Sequence, residues 1–262
     1  MNPRQRALEV LCLRDPSAKA SQARALFAGL HSHLIDPEAV YSAPANLPGR
    51  PDRPALLPPR QVPSRTPFTP EGKAALVHAI AHIEFNAINL ALDAAFRFTG
   101  MPIGFYVDWL RVASEEALHF SLLREHLQGL GHDYGDFDAH DGLWLMTQRT
   151  AIDVTARMAL VPRTLEARGL DATPPLQAKF ERAGDQRMVE ILTVILRDEV
   201  GHVAIGNHWY RWLCKRDGHD PVAHYAELAL RFEAPKLRPP FNWPAREAAG
   251  FTADEMARLN DL

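Results

Sequence analysis

Apolar residues recur every three or four positions through four long stretches, at about 71–97, 105–130, 145–168 and 186–215. That period is helical, and stretches of this length predict four helices that share a core. In the second stretch Trp109, Leu110, Val112, Ala113, Ala117, Phe120 and Leu123 make the pattern; in the fourth, Ile191, Leu192, Val194, Ile195, Leu196, Val200, Val203 and Ile205 do. Stop signals punctuate it. Thr99-Gly100-Met101-Pro102, Gly131 and Gly169 are expected to end the first three helices, with a short helix after Pro174-Pro175 before the fourth. Residues 3–30 predict one or two short helices, broken at Asp15-Pro16-Ser17, with Ser21 as a cap for the second. Nine prolines between Pro44 and Pro70 exclude helix and central strand there and predict an extended strap. Leu47, Leu56, Leu57, Val62 and Phe68 are its candidate anchors. The alternative is an arm that meets a partner or RNA through Arg50, Arg53, Arg60 and Arg65. The link 131–144 reaches up to about 45 Å if extended, enough to cross a bundle end to end. The expected organisation is an N-terminal helical segment (1–42), the strap (43–70), a four-helix bundle (71–215) and an extension that packs back on it (216–262), with a last helix near Thr252–Leu259.

Six polar residues stand out against this apolar background. Glu116-Ala-Leu-His119 and Glu199-Val-Gly-His202 are two Glu-x-x-His motifs, and each follows a lone glutamate, Glu84 and Glu166, at separations of 32 and 33 residues. Residues three apart share a helix face, so each motif can present a carboxylate and an imidazole to one core. Doubled, with the lone glutamates, the pattern matches the ligand set of a bundle that holds two metal ions. Four carboxylates balance two divalent ions, whereas four unpaired charges in a core would be costly. Carboxylate with imidazole suits iron and manganese, so a di-iron centre is expected, with Mn/Fe as the other pairing this ligand set accepts. A single Glu-x-x-His is common on solvated faces; two copies at matched spacing inside apolar stretches are not.

Composition changes the picture little. Apolar content of 47%, charged content of 23% and a formal charge of −3 are ordinary for a soluble protein, and argue against a nucleic-acid or membrane partner. No signal-like apolar run opens the chain, and no stretch has the ~20 continuous apolar residues of a membrane span. Cys12 and Cys214 form no paired motif, so the cytoplasm is the expected location. His78 and His82 lie off the helical face of Glu84 and read as surface or core-edge groups. Tyr106, Trp109, Trp209, Tyr210 and Trp212 read as core aromatics. Pro162, four residues before Glu166, predicts a kink beside a ligand. Gly201, inside the second motif, is expected to leave space near the metals.

With this ligand set in place, residues 71–215 resemble the ferritin-like di-iron carboxylate superfamily. Closer still, His82-Ile83-Glu84, Asp108-Trp109-Leu110-Arg111-Val112-Ala113, Glu115-Glu116-Ala117-Leu118-His119-Phe120, Glu166-Ala167-Arg168-Gly169-Leu170-Asp171 and Asp198-Glu199-Val200-Gly201-His202 resemble a bacterial branch of it, domain of unknown function 455. The resemblance implies an all-α, ferritin-like four-helix bundle with a long crossover. It implies Glu84, Glu116 and His119 on one iron, and Glu166, Glu199 and His202 on the other, with a glutamate from each half bridging. Asp198 and Glu115 directly precede ligands, as acidic residues do in relatives such as the small subunit of class I ribonucleotide reductase; such residues can fix the tautomer of a ligating histidine. The expected function is an O2-activating oxidase or hydroxylase that acts on an unidentified small organic substrate and draws on an unidentified electron donor. Alternatives are an iron- or peroxide-handling, ferroxidase-like protein and a non-catalytic metal-binding scaffold. Distant tRNA hydroxylases keep a nucleic-acid substrate conceivable, although no compact basic run supports it. The strap and tail suggest a monomer or homodimer rather than a cage subunit.

Overall fold

The chain is all-helical. A computed structural model describes residues 1–63 and 65–259, with eleven α-helices and no β-strand among the described residues, only an isolated bridge between Leu56 and Ala139. Ser64 and residues 260–262, the end of the expected C-terminal extension, lie outside the described residues. The chain divides into two compact units between Trp144 and Leu145.

The first unit holds α1 (Pro3–Leu11), α2 (Pro16–Ala28), α3 (Pro70–Arg97) and α4 (Ile103–Gly129). The first three start alike. A side-chain oxygen of Asn2, Asp15 or Thr69 accepts a backbone N–H of the first turn, and a proline follows where no N–H is needed. Asp15, not the expected Ser21, therefore caps α2. α3 and α4 pair as a helical hairpin; α1 packs on α3 and α2 on α4. The turn between α3 and α4 is held from outside. Arg4, fully buried, donates to the carbonyls of Ala95, Phe96 and Phe98 at 3.3, 2.9 and 3.2 Å, and to those of Asp36, Pro37 and Ala39 at 3.0, 2.8 and 2.7 Å. The first three are carbonyls that the end of α3 leaves open.

The proline-rich segment is a strap, as its composition predicts, but its anchors differ. Leu56 and Phe68 are exposed, while Pro48, Gly49, Pro54 and Pro67 are buried. Backbone polarity decides this. Gly49 donates to the Leu11 carbonyl at 2.9 Å and accepts at its carbonyl from the buried Lys19 ammonium at 2.6 Å; the Leu57 N–H donates to the Ala139 carbonyl at 2.8 Å and the Ala139 N–H to the Ala55 carbonyl at 3.0 Å. A side chain at Gly49 would collide with the Cys12 carbonyl, so only glycine fits. The link after α4 is not extended. It folds back on α3, where the Gly135 N–H donates to His78 Nε2 at 2.9 Å.

α5 (Gly142–Arg149) carries the chain into the second unit, which holds α6 (Val154–Leu160), a π turn (Val161–Glu166), α7 (Ala167–Arg182), α8 (Gln186–Asp217), α9 (Pro221–Arg231), α10 (Trp243–Ala248) and α11 (Ala253–Leu259). The single helix expected over 145–168 is thus broken twice. Asp153 starts α6 afresh by accepting the Ala156 N–H, and Pro162 cannot continue an α-helical ladder. The stop expected at Gly169 also fails: α7 runs through Gly169 and Pro174-Pro175 to Arg182. Pro174 has no N–H to return to the Leu170 carbonyl, and the Asn242 amide donates to that oxygen instead, at 3.0 Å. α8 ends at Gly218, in the left-handed region with φ 74°. By length and composition α3 could span a membrane, but most of its apolar window is buried within the protein.

Candidate metal centre

In the first unit the structure brings Glu84, Glu116 and His119 together. Glu84 stands on α3, and Glu116 and His119 stand one turn apart on α4. All three are buried, and their ligand atoms lie within 4.8 Å of one another. His119 Nδ1 is 3.2 Å from Glu84 Oε2 and 3.3 Å from Glu116 Oε2. Burial raises the Glu84 carboxyl well above its usual range, and the charge of Glu116 raises it further, against the opposing pull of His119. Two ionised carboxylates at this depth need a cation between them, or a proton. A buried pair of oxygen donors with one nitrogen donor fits iron or manganese.

In the second unit His202 Nδ1 lies 3.8 Å from Glu199 Oε1, one turn away on α8. Both are buried. Glu166 is buried at the end of the π turn, and a Cβ on Gly169, one turn further along, would touch the Glu199 carboxyl carbon at 3.9 Å. Glu199 therefore reaches α7 at Gly169, one turn beyond Glu166. The turn that carries Glu166 is packed tightly. Gly206 of α8 meets Pro162 so closely that a Cβ there would fall 2.5 Å from the proline ring. Gly201, expected to make room near the metals, is exposed and faces open space; Gly206 is the glycine of close approach.

Neighbouring groups support the first set. Tyr134 packs its ring 5.2 Å from Phe85 and 5.1 Å from Phe120, the residues next to Glu84 and His119. Its hydroxyl lies 2.9 Å from His82 Nδ1, whose Nε2 lies 3.1 Å from the His140 carbonyl. His78 and His82 are thus buried members of this packing rather than surface groups. Burial, with Arg65 adding to it, lowers His78 to about 4; burial lowers His82 to about 3 although the His140 carbonyl opposes this, so both are neutral at pH 7. A cavity of about 240 Å³ opens between α3 and the strap, lined by Arg65, His82, Ile83, Asn86 and His140. Of the expected supporting acids, Asp198 takes the Arg197 guanidinium of its own helix at 2.8 and 3.0 Å, and Glu115 is half-buried beside Glu116. Tyr106, Trp109, Trp209 and Tyr210 are core residues, as expected. Tyr134, Asn86, Gly206 and Arg163 escape sequence reasoning, for no local pattern marks them; only Pro162 flags the π turn.

The profile of the family described as "Protein of unknown function (DUF455)" matches residues 12–257. The chain is 54% identical over 218 residues to an uncharacterized protein of Haemophilus influenzae, an alignment that covers 80% of this chain and 76% of the relative. No solved structure matches.

Proposed function

The chain belongs to the DUF455 family of proteins of unknown function, and from its donor residues we propose a di-iron carboxylate protein of ferritin-like fold that activates O2 to oxidise a small organic substrate. In this proposal Glu84, Glu116 and His119 would hold one ion, and Glu199, His202 and Glu166 would hold the other. The observation that carries it is the buried trio on α3 and α4, whose ligand atoms lie within 4.8 Å of one another. The repeat of Glu-x-x-His on α8, with Glu199 and His202 both buried, supports the second ion.

Iron bound by these residues would supply the redox chemistry for O2 reduction, with electrons returned by an external donor. The chain contributes charge, position and dryness. The four carboxylates offset the charge of two divalent ions. His119 turns Nδ1 to the side on which Glu84 and Glu116 lie, so the imidazole needs no rotamer change to join them as a donor. Phe85 and Phe120, packed 5.3 Å apart with Tyr134, cover that end of the set against water. The π turn carries Glu166 at its end, on a backbone wider and less regular than an α-helix.

Elemental analysis of protein from iron-replete cells, with optical spectra before and after anaerobic reduction and O2 exposure, tests the proposal. Close to two irons per chain and a new visible band on oxygenation are expected. No bound transition metal, even after anaerobic reconstitution, would sink it. Turnover with ferrous iron and O2 alone, without an organic product or an added donor, would replace the oxidase with a ferroxidase.

A further inference from the structure

We propose that the C-terminal helix α11 clamps the π turn, and that Glu255 is the positioning residue through which it holds Glu166 in place as a ligand. The inference rests on the assignment of Glu166 as a metal ligand made above. A π turn carries a wider, less regular ladder than an α-helix and persists where its surroundings hold it. Here every residue from 162 to 164 is held from outside its own helix. Pro162 lies against Gly206. Thr164 Oγ1 donates to the Ala159 carbonyl at 2.8 Å and pairs with the Tyr225 hydroxyl at 2.8 Å. Arg163 is the most heavily engaged. It donates to Asn207 Oδ1 at 2.6 Å and forms an ion pair with Glu255 Oε1 at 2.8 Å, with both side chains only 4% exposed. Its guanidinium lies 4.8 Å from the Phe251 ring and 5.1 Å from that of Tyr210.

Glu255 is where these fastenings meet. Its other oxygen accepts from Arg211 at 2.6 Å and from the Thr252 N–H at 2.8 Å, and Arg211 also donates to the Gly250 carbonyl at 2.6 Å. Asn207, the other partner of Arg163, donates to the Ala249 carbonyl at 2.8 Å. The tail has a second anchor, Arg246, fully buried, paired with both oxygens of Asp171 at 3.0 and 2.6 Å. Glu166 lies in the chain between the two anchored residues, Arg163 and Asp171. A carboxylate held between two charged fastenings keeps its place while its own turn stays irregular. Removing the charge at 255 leaves a buried guanidinium short of its counter-ion, a costly state that the turn relieves by opening.

Glu255→Gln in the full chain tests this, since the amide keeps the shape and removes the charge. Two measurements are needed: hydrogen exchange of the amides in 161–166, and titration of the metal-free protein with Co²⁺ followed by its visible spectrum. We expect exchange in the turn to rise at least tenfold, with α8 unchanged. One of two cobalt equivalents should weaken about tenfold and lose its wild-type spectrum, and Glu255→Asp should restore part of both. Unchanged exchange overturns the clamp. Equal weakening of both equivalents, with a general fall in thermal stability, reduces Glu255 to a structural role and overturns the positioning. Faster exchange with both equivalents unaltered does the same. A wild type that takes up no cobalt sinks the ligand assignment itself, and the exchange data then decide the clamp alone.

Discussion

In the first unit Glu84, Glu116 and His119 stand on two uninterrupted helices, α3 and α4; in the second, Glu166 closes a π turn, and Glu199 and His202 stand on α8. The contacts follow the backbone. His119 approaches two carboxylates at 3.2 and 3.3 Å, whereas the matching pair on α8 stands at 3.8 Å. The first set stands on regular helix, with i, i+3 spacing placing Glu116 and His119 on one face of α4. The second is assembled by fastenings brought from residues far along the chain. A repeated ligand pattern therefore need not give two equal half-sites. One half is built rigid, and the other is built so that its stiffness is set by α8 and the tail.

The largest expected effect comes from breaking the rigid half. Glu116→Ala removes a fully buried carboxylate that both Glu84 and His119 approach. Elemental analysis should then find both ions lost together, while Glu166→Ala should retain about one. Two full equivalents in Glu116→Ala would refute the ligand assignment.

A smaller effect separates the two glycines of α8. Gly206→Ala places a Cβ 2.5 Å from Pro162 and should cost roughly 1–3 kcal/mol through overpacking. Gly201→Ala meets nothing within 4 Å and should stabilise the helix by about 0.5–1 kcal/mol. Urea denaturation of the two variants checks this, and equal stabilities would show that the π turn yields freely.

The smallest effects are those of pH; they have the same sense in both units, stability rising with pH, but fall in different windows. Burial, and then Arg50, lowers the Lys19 amine from 10.5 to about 7. Between those values the unfolded chain binds more protons, so the strap-bearing unit should gain stability as pH rises from about 7 towards 10. In Lys19→Met that slope should flatten; an unchanged slope would assign it elsewhere. Glu255 responds on the acid side. Burial pulls its carboxyl up, but Arg163, the Thr252 N–H and Arg211 outweigh that and hold it below its usual range. Its contribution is present above the unfolded value of 4.5 and is lost as pH falls through the lowered one. Limited proteolysis should release the tail first on acidification, and the strap should resist longer on the alkaline side.

Much of the fold was legible in the chain because its causes are local. Although the caps at Asp15 and Thr69 were not read as helix starts, the 3.6-residue period marked α3, α4 and α8. The trio on α3 and α4 was legible for the same reason, since i, i+3 spacing puts Glu116 and His119 on one face whatever surrounds them. The third helix was not. Proline and glycine predict breaks only where nothing replaces the lost bond, and Asn242, 72 positions from Leu170, replaces it at Pro174.

The sequence by itself determined the helical class, the strap and the set of six candidate ligands, because periodicity, capping and ligand spacing act within a few residues. Tertiary structure alone decided that Pro162 opens a π turn rather than a simple kink. It also decided that Gly206 makes room for that turn, and that Arg163 is neutralised by Glu255. Those outcomes depend on close packing and on charge in a dry interior, both set by residues that meet only when the chain has folded.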